Sequence, residues 1–238
     1  MSGEARQTQV VIYMDEARHY HAAPAYAAIL NFLMHHGVAS ALATRGLAGF
    51  GPEHKMHSGD LLAASDHLPL RIEFVAETGQ VPPLLPKLRE MAGPQATIVL
   101  TPAERAEAPR AAPSPAGETA PAAPPAKIEG RAKLLRIYCS EHDRWQGQPL
   151  HLAILEALQS ADAAGATIYR GIAGYGAHHQ AHPEKFHGLG FGQDRPYMIS
   201  VVDHEAKVRD ILNRLEPMLN GALAVLSEVE VIRYGVAE

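Results

Sequence analysis

The sequence predicts an α+β protein made of two ferredoxin-like β-α-β-β-α-β sandwiches joined by a linker. Three observations predict it. Two halves of the 238 residues repeat one another at a nearly fixed offset. A Pro/Ala-rich stretch with almost no large apolar side chain besides Ile128 separates them. Within each half, period-2 segments alternate with helical stripes.

The repeat is read residue by residue. At an offset of 125, Ile12-Tyr13 falls on Ile137-Tyr138, Glu16 on Glu141, Pro24 on Pro149 and Leu33 on Leu158. The longest match sets Arg45-Gly46-Leu47-Ala48-Gly49-Phe50-Gly51 on Arg170-Gly171-Ile172-Ala173-Gly174-Tyr175-Gly176. After a two-residue insertion Pro69 meets Pro196, Ile72 meets Ile199 and Val75 meets Val202. The units are residues 9–101, whose last strand reads as truncated, and residues 131–238. Residues 102–130, with seven Pro and ten Ala, read as a semi-rigid or disordered tether that leaves the orientation of the units unfixed.

The second unit shows the elements best. Leu135, Ile137 and Cys139 alternate with Arg136, Tyr138 and Ser140, the pattern of a half-buried strand. Cys139 aligns with Met14 and reads as a buried small hydrophobe. Pro149 suits a first helical turn, and Leu150, Ile154 and Leu158 form one apolar stripe. Residues 166–173 return as a strand, and Met198–Val202 form another. Asp203 is placed to cap a helix with the stripe Val208, Ile211, Leu212, Leu215 and Leu219. Leu223–Leu226 and Val229–Tyr234 close the sheet.

Composition narrows the function classes. The chain is 47% hydrophobic, enough for a core, and its charge of −5 argues against nucleic-acid binding. One cysteine excludes an intrachain disulfide or a Cys-built metal centre. No apolar run approaches the ~20 residues of a membrane span, and no export signal is evident, so a cytoplasmic protein without membrane insertion is expected. No nucleophile elbow, Walker loop or dinucleotide fingerprint is found, and the expectation is a non-enzyme.

The second unit resembles the UPF0166 family, also called domain of unknown function 190. The resemblance is carried by Ala132–Tyr138, Gly165-Ala166-Thr167, Arg170–Gly176 with His178 and His182, and Val229–Tyr234. The first unit resembles it more weakly over 9–101. That family is in turn similar to the nitrogen-regulatory PII signalling proteins. The resemblance implies a homotrimer, an adenine nucleotide in clefts between subunits, and a signal passed through a long T-loop to a transporter or enzyme. Family genes also often neighbour fluoride-channel genes, which implies a channel partner. It further implies that Arg233 contacts phosphate. The lysine-bearing turn with which PII proteins grip phosphates is replaced by Asn220-Gly221-Ala222-Leu223 and Gly93-Pro94-Gln95-Ala96. Losing that charge-assisted bond costs ~1.5–3 kcal/mol, so tight binding of ATP in the ordinary PII manner is not expected.

The residues themselves leave alternatives open. Gly49-Phe50-Gly51 and Gly174-Tyr175-Gly176 can present free N–H groups to an anion, or can be tight strand exits with a packed aromatic. Each precedes a loop of about 20 residues, a length often functional. Arg45 and Arg170, with Gly171 beside the latter, can pair with a phosphate or make a structural salt bridge. His54 and His57 in one loop, and His178, His179 and His182 in the other, can hold a divalent metal, sense pH, or lie exposed.

Overall fold

The computed structural model describes residues 6–50, 56–58, 68–106, 130–176 and 196–232. The first copy opens with β1 (Arg6–Asp15), a short hairpin β2 (His19–Tyr20) and β3 (Ala23–Pro24), and α1 (Ala25–His35). It continues with β4 (Ala41–Arg45), β5 (Ala48–Phe50), β6 (Met56–Ser58), β7 (Pro69–Glu77), α2 (Val81–Ala92) and β8 (Thr97–Arg105). The second copy runs β9 (Gly130–Cys139), the hairpin β10 (Arg144–Trp145) and β11 (Gln148–Pro149), then α3 (Leu150–Ser160). It is completed by β12 (Ala166–Arg170), β13 (Ala173–Tyr175), β14 (Tyr197–Asp203), α4 (Glu205–Leu215) and β15 (Leu223–Val231).

The copies share one register. Ile12 stands opposite Ile72 and Ile98 in the first; Ile137 stands opposite Ile199 and Ala224 in the second. Strand order is β8-β1-β7-β4 in one and β15-β9-β14-β12 in the other, each the ferredoxin-like arrangement. The helices bury their stripes on one face. Ile29, Leu30, Leu33, Leu84 and Leu88 pack on Val10, Ile12 and Ile72. Ile154, Leu158, Val208 and Ile211 pack on Leu135, Ile137 and Ile199, with Cys139 buried among them. Pro149 precedes α3, where a missing N–H is harmless.

Four expectations are corrected. The first copy's last strand is not truncated: β8 runs to Arg105, past position 102, and is nine residues long like β15. Pro102 lies on a stretch of β8 whose outer edge carries no strand among the described residues, where proline is tolerated. Asp203 does not cap α4, whose N-cap is His204. Its carboxylate instead accepts hydrogen bonds from the Ala164 and His204 amides at 3.0 and 2.7 Å. The second sheet face is not solvated: Tyr138 and Ser140 are buried. And the copies do not float on a tether, because strand pairing joins them.

That pairing occurs twice among the described residues. β15 joins β8 at Val225–Arg105 and Leu226–Glu104. At the far side β13 leaves its own copy and pairs with β4, Ala173 opposite Ala43 and Tyr175 opposite Ala41. Nine described strands thus form one sheet, with β12 and β13, consecutive in the chain, at its two ends. The helix-free faces of the copies meet across a small apolar cluster of Leu42, Val75, Tyr138, Met198 and Val225. Tyr175 enters the core of the first copy and is 4% exposed. Its hydroxyl has no hydrogen-bond partner among the described residues. Burial pushes its pKa upward.

Two substitutions test this anchor. Tyr175→Ala should lose about 3–5 kcal/mol in urea unfolding, as expected for an emptied aromatic core position. Tyr175→Phe should be neutral or stabilising, because it removes an unpartnered buried hydroxyl.

Candidate functional site

Each copy places one arginine at the end of its second strand. Arg45 Nε donates to Glu16 Oε2 at 2.7 Å, and its Nη2 also contacts that carboxylate. At the repeated position, Arg170 Nη2 donates to Glu141 Oε1 at 2.7 Å. Both guanidiniums are nearly half exposed, so each pair is a weak surface bridge that an anion in solution can contest. The carboxylate holds the Arg45 pKa above its usual value; partial burial opposes this.

Around Arg170 the second copy adds aromatic groups. The His151 ring stacks on Tyr197 with centroids 4.0 Å apart and planes 18° apart. The Arg170 guanidinium carbon lies 5.9 Å from the centre of the same Tyr197 ring. His151 Nδ1 is buried without a partner among the described residues. Burial lowers the His151 pKa, and the charges of Arg144 and Arg170 lower it further against Glu141, so the imidazole is neutral near pH 7. The first copy has Tyr26 and Leu70 at the places of His151 and Tyr197, so the copies are not equivalent here. A planar ring stack beside a guanidinium suits a flat or anionic ligand.

The structure accounts for the glycines differently. A Cβ at Gly174 would overlap the Ala41 carbonyl oxygen and lie 2.6 Å from Pro196 Cγ. One at Gly171 would strike the Leu42 side chain. The close approach these glycines permit is therefore made by the chain's own β4 and Pro196, and Tyr175 is core. The Gly171 amide donates to the Pro196 carbonyl at 2.8 Å, as Gly46 does to Pro69 at 2.7 Å. Gly49 and Phe50 lie in β5, which pairs with β6, Phe50 opposite Met56 and Gly49 opposite His57. Gly176 has open space around it. Gly51, His54, His178, His179, His182 and Arg233 lie outside the described residues, and nothing is described of the His57 side chain. Among the described residues no group of three or more metal-ligating side chains comes together.

A buried ionic cluster between the copies was not singled out by sequence reasoning. Glu73, 1% exposed, accepts hydrogen bonds from Gln9 of β1 and from the Tyr138 hydroxyl of β9. Arg71 pairs with it from its own strand, and Arg136 of the second copy lies 3.5 Å away through Nε. Arg136 Nη1 also donates to Gln9 Oε1 at 2.5 Å. Burial and the Glu73 charge push the Tyr138 pKa well up, so the hydroxyl keeps its proton and remains a donor. Burial pulls the Arg71 pKa down, but Glu73 and Tyr13 more than offset it and hold it above its usual value. The available signal was Arg71-Ile72-Glu73-Phe74-Val75, charges alternating inside an apolar strand. Alternation shows two unlike faces and does not show what covers the second.

These features define a tandem α+β protein whose copies share one sheet and one buried ionic cluster. The family model for DUF190, described as Uncharacterized ACR, COG1993, matches residues 7–105 and again 132–231, and the chain belongs to that family. It is 34% identical over 102 residues to a UPF0166 protein of Aquifex aeolicus, covering 43% of this chain and 94% of that one. It is 31% identical over 104 residues to UPF0166 protein MJ1524 of Methanocaldococcus jannaschii, covering 43% and 94%. Each relative therefore corresponds in length to one copy. Among solved structures, one of an unknown protein from Galdieria sulphuraria aligns over 94% of this chain and 98% of that one at 12% identity. Its TM-score of 0.26 is too low to support a common fold.

The ionic cluster predicts a non-additive mutant series. Glu73→Leu should destabilise by about 2–3 kcal/mol, because two partly buried guanidiniums lose their counter-charge. Adding Arg71→Met and Arg136→Met should recover most of that loss in denaturant unfolding.

Proposed function

We propose that this chain is a PII-like regulatory protein, not an enzyme, that senses a small phosphate-bearing ligand of the nucleotide class. The segments 51–67 and 177–195 serve as T-loops that relay occupancy to a cytoplasmic face of a transporter or channel. The observation that carries this reading is the Arg170–Glu141 pair with the His151–Tyr197 stack, in which Arg170 lies seven residues before segment 177–195 and Tyr197 two residues after it. A phosphate competing with Glu141 for Arg170 would gain a charge-assisted bond. It would also free the Glu141 carboxylate, three residues ahead of the β10–β11 hairpin, changing the charge beside that hairpin. The second copy is the sensing copy, since the first lacks the stack.

Calorimetry of the intact chain against AMP, cyclic AMP, ADP and ATP tests this. At least one should give heat, and Arg170→Ala should weaken it by about tenfold or more, the loss of one charge-assisted hydrogen bond. No heat with any of the four, or affinity unchanged in Arg170→Ala, overturns the reading.

Assembly as a homotrimer is part of the proposal and rests on the PII resemblance. The strand edges at β8 and β15, and at β4, are taken up within the chain, so contacts between chains fall on other surfaces. Light scattering should give a mass about three times the 25.6 kDa of one chain. A stable single-chain mass at micromolar concentration refutes the trimer.

A further inference from the structure

The two copies are related by a repeat, yet among the described residues only one of the two strand exchanges that the repeat allows is present. β13 of the second copy lies on β4 of the first. The matching strand of the first copy is β5, and its matching acceptor is β12. That acceptor stands at an end of the sheet, its outer edge unpaired among the described residues. The burial of the two acceptors differs accordingly: Ala41, Leu42 and Ala43 of β4 are buried, whereas Thr167, Tyr169 and Arg170 of β12 are exposed.

A cavity marks the vacant position. About 310 Å³ open beside α3 and β12, lined by Leu155, Leu158, Gln159, Ala163, Gly165 and Ala166. The residues at the matching places of the first copy include Leu30, Leu33, Val38 and Ala41, all buried in the cluster that receives Tyr175. Tyr175 stands opposite Ala41, and Ala41 matches Ala166. The cavity is thus the second copy's version of the Tyr175 socket. The residue that matches Tyr175 is Phe50.

Two further observations name the same occupant. Leu47 is 88% exposed, while its match, Ile172, packs against the first copy's core. The register also closes. Ala173 opposite Ala43 and Tyr175 opposite Ala41 define an antiparallel ladder. Extending it without a slip sets Ala48 opposite Ile168 and Phe50 opposite Ala166. The exchange that is present and the one that is missing therefore belong to one ladder within a single chain.

We propose that the chain's own Leu47–Phe50 segment docks along β12 and seats Phe50 in the cavity against Leu155, Leu158 and Ala166, closing the sheet into a barrel. β5 keeps its other edge for β6, as an interior strand does. The apolar lining matches a phenyl ring, which, unlike Tyr175, carries no hydroxyl to satisfy. The occupant is the chain itself rather than a second copy, because one uninterrupted register serves both exchanges and the segment is tethered beside its acceptor. The inference does not depend on any ligand.

The test is a full-length Ala48→Cys/Ile168→Cys double variant under mild oxidation, with each single variant as control. A disulfide within one chain, seen as a faster non-reduced monomer and as the linked peptide by mass, is expected. A disulfide-linked dimer would assign the cavity to a second copy, and no disulfide would leave β12 unoccupied; either overturns the proposal. Hydrogen exchange supplies a readout without crosslinking. In Phe50→Ala the amides of residues 166–170 should exchange about tenfold faster or more than in the wild type, with the β1 amides unchanged. Equal exchange of 166–170 in both proteins also overturns it.

Discussion

Tyr175 is carried by a strand of one copy into the core of the other, and the rest of the architecture follows from that exchange. Ala173–Tyr175 could reach β4 only if both sheets turned their helix-free faces inward. Once those faces meet, the side chains that fill them are best apolar or paired with an opposite charge. Leu42, Val75, Met198 and Val225 meet the first condition, and Glu73 with Gln9, Arg71, Arg136 and Tyr138 meets the second. The glycines at 171 and 174 then have a steric purpose, since a β-carbon at either would collide with β4 or Pro196. A motif that looks like an anion cradle in one dimension serves chain-to-chain contact in three.

The parts of the fold that depend on near neighbours were legible in the sequence. The α3 stripe of Leu150, Ile154 and Leu158, the inward Cys139, and the matched registers of the two copies all follow from local periodicity and from the repeat. What was not legible depends on partners distant along the chain. Arg136 and Tyr138 alternate with apolar residues as a solvated face would, and only the position of Glu73, on another copy, shows otherwise. Pro102 read as the start of a linker because proline is rare inside sheets, but β8 carries it at a place where no described strand lies on the outer edge. For the arginines, spacing gave the location, and the geometry added the local carboxylates Glu16 and Glu141.

The repeat is close in backbone and divergent in chemistry. Registers agree between copies, but Arg170 lies near Tyr197 and His151 whereas Arg45 has Leu70 and Tyr26 at those places. A chain of this kind can hold one copy to a recognition task and leave the other to support it.

The buried cluster has an evolutionary consequence. If two first copies met face to face, Glu73 would find Val11 and Tyr13 where Arg136 and Tyr138 now stand. If two second copies met, Arg136 would find Ser200 and Leu134 in place of Glu73 and Gln9. The first self-pairing leaves Glu73 with Arg71 and Gln9 alone and the second leaves Arg136 without that carboxylate, whereas the mixed pairing brings the two together. The halves have become lock and key to one another, and fusion in a single polypeptide guarantees that each is made in equal number with its only fitting mate.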